Sequence, residues 1–152
     1  MKKFLCAILA SLMVLTLVAC GGGSDLQTVV LTMEQNGTTI DYELVADGDV
    51  VQQITQTSTL DGSLYTEEQI DLIMESADEF AAAYAEIDGV TYSIEEKDGD
   101  IVETIKIETT DADTIQALSD AGLLPVDQDN ATSISLKKTI ENLEALGMTV
   151  KE

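Results

Sequence analysis

Three runs of alternating apolar and polar residues, joined by tight-turn signals, constrain this chain more than any other feature. Leu26 to Gln35 sets Val29, Leu31 and Met33 on one face and Thr28, Val30, Thr32 and Glu34 on the other, the period of two that a strand imposes. Asn36-Gly37 follows, a strong hairpin signal because both central residues of a type I′ turn need positive φ. A second run places Ile40, Tyr42, Leu44 and Ala46 opposite Thr39, Asp41 and Glu43. Asp47-Gly48-Asp49 turns the chain again, and Val50 to Leu60 forms a Gln- and Thr-rich third run with Val50, Ile54 and Leu60 in step. Three strands on tight turns predict an antiparallel meander with one buried and one wet face.

The punctuation then changes to helical. Thr66-Glu67-Glu68-Gln69 reads as a capping box, and behind it Ile70, Ile73, Ala77, Phe80, Tyr84 and Ile87 recur at helical spacing. The spacing predicts a helix over about 67–87, stopped by Gly89. A second hairpin follows, with Val90, Tyr92 and Ile94 inward, Asp98-Gly99-Asp100 at the turn, and Ile101, Ile105 and Ile107 returning. Asp111 or Thr110 can cap a short helix carrying Ile115 and Leu118 that ends at Gly122, and 123–132 reads as a loop. A last helix over about 135–146 carries Leu136, Ile140, Leu143 and Leu146, and Met148 and Val150 add a short extended end.

Asp47-Gly48-Asp49-Val50-Val51 with Ile54 returns 51 residues later as Asp98-Gly99-Asp100-Ile101-Val102 with Ile105, and a helix follows each. Either the chain holds two hairpin-helix repeats, or two independent hairpins both chose a common turn. Both readings give one α+β domain over 26–152: an antiparallel β-sheet of about five strands with two to three helices packed on one face.

Ahead of this domain, Lys2-Lys3 and the apolar run Phe4 to Val18 lead to Leu17-Val18-Ala19-Cys20, the pattern of a bacterial lipobox. Residues 1–19 are therefore expected to be a lipoprotein signal peptide, and Cys20 the lipidated N-terminus. Acyl chains on Cys20, a palmitate-type anchor, would hold the protein at the membrane, with 20–25 (Gly21-Gly22-Gly23-Ser24 included) as a flexible tether. Cys6 leaves with the signal peptide, so no disulfide forms within one mature chain. Five lysines then face 29 acidic residues, a net charge of −24, with no Arg, His or Trp. Such a surface repels phosphate backbones, which argues against nucleic acid, and it attracts cations or a basic partner.

The lipobox, Asn36-Gly37-Thr38 before Ile40, Gly48-Asp49 before Val51, and Ile134-Ser135 through Leu146-Gly147-Met148-Thr149-Val150 together resemble the YehR-like lipoproteins, a small bacterial family. The resemblance covers most of the mature chain as a pattern of strands, turns and helix ends. It implies a compact α+β domain held at the membrane, and it carries no catalytic motif.

Chemistry-bearing groups are sparse. Zinc and copper sites need His or Cys ligands that the mature domain lacks. Calcium could use Asp127, Asp129 and Asn130 in the Pro-bearing loop. Asp98-Gly99-Asp100 and Asp111-Ala112-Asp113 read more simply as a hairpin turn and a helix cap. Ser135-Leu136-Lys137-Lys138 fits S-x-x-K formally, but a helix cap explains Ser135 more simply. Tyr42, Tyr84 and Tyr92 fall on predicted core faces, and Tyr65 alone is free to meet a partner or to pack at a loop edge. Gln53, Thr55, Thr57 and Thr59, with Thr104, Lys106 and Glu108 alongside, form a polar sheet side that can offer hydrogen bonds to a partner or simply face water. These readings predict no enzyme and no cofactor. They predict a membrane-anchored extracytoplasmic lipoprotein that is a binding module for an envelope protein partner or a small ligand. A structural, envelope-maintenance role without a discrete ligand site is the alternative, and an acidic cation-binding domain a third.

Overall fold

A computed structural model describes residues 26–121 and 132–151. Cys20 and its lipobox, and the calcium candidates Asp127, Asp129 and Asn130, lie outside the described residues. The strands are β1 (Leu26–Gln35), β2 (Thr38–Asp47), β3 (Val50–Leu60), β4 (Val90–Lys97), β5 (Asp100–Glu108), β6 (Ile134–Ser135) and β7 (Thr149–Val150). The helices are α1 (Glu67–Ala85), α2 (Ala112–Asp120) and α3 (Leu136–Ala145). All strand pairs are antiparallel, in the order β4-β5-β3-β2-β1-β7, with β6 pairing β3. The five long strands are those expected; β6 and β7 are additions of two residues each, too short to show an alternation.

The turns explain the strand registers. Asn36 and Gly37 both have positive φ (53° and 78°), as do Asp98 and Gly99 (55° and 93°), the signature of type I′ hairpins. The Asp47-Gly48-Asp49 turn differs: Asp47 pairs with Val50, so Gly48-Asp49 are the central residues, and of these only Gly48 has positive φ. In the second hairpin Lys97 pairs with Asp100, and Asp98-Gly99 are central. The two Asp-Gly-Asp segments are therefore used one residue out of step, and the repeat is one of sequence rather than of geometry. Asp49 is spared for another task. Its carboxylate accepts the Lys137 N–H at 2.9 Å and the Ser135 hydroxyl at 2.8 Å, at the N-terminus of α3.

One expectation along β3 is overturned. Val50 does not share a face with Ile54 and Leu60; it is 42% exposed, while Val51 is fully buried. The cause is a β-bulge. Ala46 pairs with Val51 but Val45 pairs with Gln53, so Gln52 is an extra residue and the inward parity shifts by one. It sits where β3 changes partners, since Val50-Val51 pair with β6 and Gln53 onward pairs with β5. Buried Thr109, just past β5, clamps this point: its N–H donates to the Gln52 carbonyl at 2.9 Å and its hydroxyl to the Val51 carbonyl at 2.6 Å.

The core forms on one sheet face. Leu31, Leu44, Ala46, Val51, Ile54, Ile105 and Ile107 meet Ile115 and Leu118 of α2, Leu136 and Leu143 of α3, and Met148. Tyr42, Tyr84 and Tyr92 pack partly buried against this cluster, as their parity predicted. Full burial of a Leu or Ile side chain contributes about 1.5–3 kcal/mol. At one end of the sheet, Asp61 N–H donates to the Gly37 carbonyl at 2.9 Å, and buried Gly62 lies against the Gly99 carbonyl so closely that no Cβ fits. That contact ties the β3–α1 connection to the β4–β5 turn. Among the described residues no helix is long and apolar enough to cross a membrane.

Candidate functional site

Helix α1 begins with the expected capping box: Thr66 Oγ1 accepts the Gln69 N–H at 3.3 Å, and Gln69 Oε1 accepts the Thr66 N–H at 2.9 Å. Its 19 residues then fully bury only Ala77. Phe80, expected on the core face, is 56% exposed. The apolar stripe that docks runs through Ile73, Ala77 and Tyr84, and Phe80 lies beside it at the rim, because successive i+3 and i+4 steps do not all fall on one line of a 3.6-residue helix.

Between α1 and the sheet lies a cleft of about 180 Å³. Ile73, Ser76, Ala77 and Phe80 form the helix wall. Leu60, Tyr92, Ile94 and Ile101 form the sheet wall, and Glu103 brings a carboxylate to it. Tyr92 Oη donates to Glu103 Oε1 at 2.9 Å, and the Tyr92 ring stacks on Tyr84 with centroids 5.5 Å apart and planes 11° from parallel. Burial raises the Tyr92 phenol well above its ordinary pKa, and the bond to Glu103 and its charge add to this. Burial, and then the Glu103 charge, raise Tyr84 as well. Further along the same sheet face, Tyr42 Oη donates to Gln56 Oε1 at 2.5 Å, and Gln56 Nε2 donates to Ser58 Oγ at 3.3 Å. Burial, and then the neighbouring Tyr84, raise Tyr42 as well.

Sequence reasoning missed this polar inner strip. Its signal was parity: Glu103 stands in step between Ile101 and Ile105, and Gln56 and Ser58 between Ile54 and Leu60. A polar residue on an apolar period marks either an exposed rim or a satisfied internal group, and here it is the second.

The expected polar side does come together. Gln53 pairs with Glu108, Thr55 with Lys106 and Thr57 with Thr104, on the face opposite the helices. One row crosses six strands as Thr149, Thr32, Asp41, Thr57, Thr104 and Ser93. The face is largely occupied with itself: Lys106 Nζ lies 3.0 Å from Glu108 Oε1, and Lys151 Nζ 2.9 Å from Asp41 Oδ2. Burial alone would raise the Asp41 pKa; hydrogen bonds from Lys151 and Thr32 and the Lys151 charge outweigh it and hold the carboxyl below its usual range.

A third feature, an open groove beside α3 lined by Gln27, Gly48, Lys137 and Ile140, leads to the helix N-terminus. Such a terminus would suit an anion, but Asp49 already occupies it. The Lys137 N–H and the Ser135 hydroxyl bond to the Asp49 carboxylate and lower its pKa. Ser135 is thus a helix cap, as expected, and Asp111 caps α2 by accepting the Asp113 N–H at 2.9 Å. Among the described residues no group of three or more Asp, Glu, Cys or His side chains converges to hold a metal.

Comparison with known proteins agrees with this architecture. Residues 27–149 match the family model described as a protein of unknown function, DUF1307. An uncharacterized lipoprotein of Listeria monocytogenes is 27% identical over 156 residues, covering 97% of this chain and 94% of the relative. The solution structure of the Escherichia coli YehR protein has the same fold, with a TM-score of 0.63 at 20% identity over 85% of this chain and 93% of that one. A protein of Streptococcus pneumoniae TIGR4, also solved by NMR, gives a TM-score of 0.54 at 13% identity, over 99% of this chain and 96% of its own. With a strand-and-turn pattern that foreshadowed YehR, a fold that matches it, and a family model spanning nearly the whole domain, the chain belongs to the DUF1307 family of YehR-like proteins.

Proposed function

We propose that this protein is a lipoprotein held through Cys20 on the extracytoplasmic face of the cell membrane, and that its domain binds a small ligand between α1 and the sheet. The cleft carries the ligand reading: it is concave, its walls are apolar, and a few polar groups converge on it, the usual make-up of a small-molecule site. The helix over it buries one residue fully, so opening costs less there than in the core beneath α2 and α3. Support for the anchor comes from Leu17-Val18-Ala19-Cys20 and from the lipoprotein relative. No reaction is part of this reading: the cleft lining offers one carboxylate, Glu103, and the tyrosine bonded to it.

Two measurements test it. A panel of small apolar and amphipathic compounds should include members that raise the melting temperature of the mature protein and leave Ser76→Phe, whose ring would fill the cleft mouth, unchanged. Equal stabilisation of both proteins would refute the site. Growth with a labelled fatty acid should label the protein and leave Cys20→Ala unlabelled, and equal labelling of both would refute the anchor. An envelope protein docked on the Thr-rich outer face is the second reading, favoured by the six-strand polar row that no described helix covers.

A further inference from the structure

The chemistry of the cleft narrows its ligand, given the reading that the cleft is the binding site. Its volume, about 180 Å³, is close to that of engineered apolar cavities of roughly 150 Å³ that take up benzene. The ligand's apolar part is therefore of single-ring size. Two aromatic side chains, Phe80 and Tyr92, stand in the walls, and Tyr92 is backed by its stack on Tyr84. Glu103 is the one charged residue in the lining. It accepts a hydrogen bond from the neutral Tyr92 phenol, and it takes part in none of the three ion pairs among the described residues. All five mature lysines lie in the described residues, and none of them lines the cleft.

A partly buried carboxylate that is in no ion pair and shares its cleft with Phe80 and Tyr92 suits an organic ammonium: an aromatic face attracts the cation and the carboxylate pairs with it. We infer that the α1 cleft binds a small organic cation, a primary or quaternary ammonium carried on an apolar group of about benzene size, with the charge at Glu103 and the apolar part among Ile73, Phe80 and Ile94. The acidity of the whole mature chain serves the same end, since its field raises the local concentration of cations and turns anions away. Asp78 on α1 adds a negative charge beside Tyr92.

The test uses the lipidated mature protein in zwitterionic nanodiscs and three near-isosteric probes: benzylamine, benzyl alcohol and benzoate. Isothermal titration at pH 7 should show benzylamine binding about tenfold or more tighter than benzyl alcohol, the margin of a hydrogen bond to a charged group, and no benzoate binding. Glu103→Gln, which keeps an acceptor for Tyr92, should reduce benzylamine to the level of benzyl alcohol. Glu95→Gln, on the opposite sheet face, should leave it unchanged. If benzyl alcohol binds as tightly as benzylamine, or if Glu103→Gln leaves the amine's affinity intact, the cation assignment is overturned while the cleft stands as a ligand site. If none of the three binds, both fail.

Discussion

Thr109 holds the point at which the sheet changes parity, and replacing it tests that role. If Gln52 were paired instead of bulged, continuous pairing from Asp47–Val50 would turn Gln53, Thr55, Thr57 and Thr59 toward the helices and Ile54 and Leu60 toward water. Thr109 is 2% exposed, and its hydroxyl and N–H each bond a carbonyl of the bulged segment. Thr109→Val keeps the shape and the N–H but removes the hydroxyl from the buried Val51 carbonyl, a loss of about 1–3 kcal/mol. For a domain of this size, about 4 °C per kcal/mol gives a fall in melting temperature of roughly 4–12 °C. Thr109→Ser keeps the hydroxyl and loses one methyl, so it should cost about 1 kcal/mol. Urea or thermal unfolding by circular dichroism gives both values. A Val variant as stable as the parent, or less damaging than Ser, would refute the clamp.

The other expectations concern packing, backbone contact and pH. Leu44→Ala, at a fully buried position, should cost about 2–5 kcal/mol, while Phe80→Ala, at the rim of the cleft, should cost under about 1 kcal/mol; equal losses in urea unfolding would place Phe80 in the core after all. Gly62→Ala should cost about 1–3 kcal/mol because its methyl meets the Gly99 carbonyl, which is backbone and cannot swing aside. An unchanged melting temperature would show that the two turns are not packed together. Asp41 has a folded-state pKa below its unfolded value, so its contribution is present above the unfolded carboxylate range and is lost as pH falls through the lowered value. Lys151→Met should therefore be less stable than the parent at pH 7, and the difference should shrink as pH falls below the ordinary carboxylate range and vanish only once Asp41 is protonated in both. A difference independent of pH would assign the effect of Lys151 to packing.

Much of the fold was legible because its signals are local. Asn36-Gly37, Thr66 with Gln69, and the alternation of Leu26–Gln35 each specify backbone geometry within a few residues. What was not legible depends on partners distant in the chain. The bulge at Gln52 exists because β3 meets β6 on one side of it and β5 on the other, 30 or more residues away in sequence. For the same reason the Asp-Gly-Asp segments look alike yet serve different turns, since Asp49 is drawn to Ser135 and Lys137. The cleft was harder still. Its polar groups read as ordinary strand residues until α1 was placed over them, and the loose seat of that helix leaves Phe80 at a rim that periodicity alone assigns to the core.

The central claim is that ligand enters between α1 and the sheet, and intermolecular nuclear Overhauser effects from bound benzylamine read that position directly. Contacts from the benzyl protons to the rings of Phe80 and Tyr92 and to the methyl groups of Ile73 and Ile94 are the expected result. Contacts confined to the threonine methyls of the outer face, Thr55, Thr57 and Thr104 among them, would contradict it and move the binding surface to the other side of the sheet.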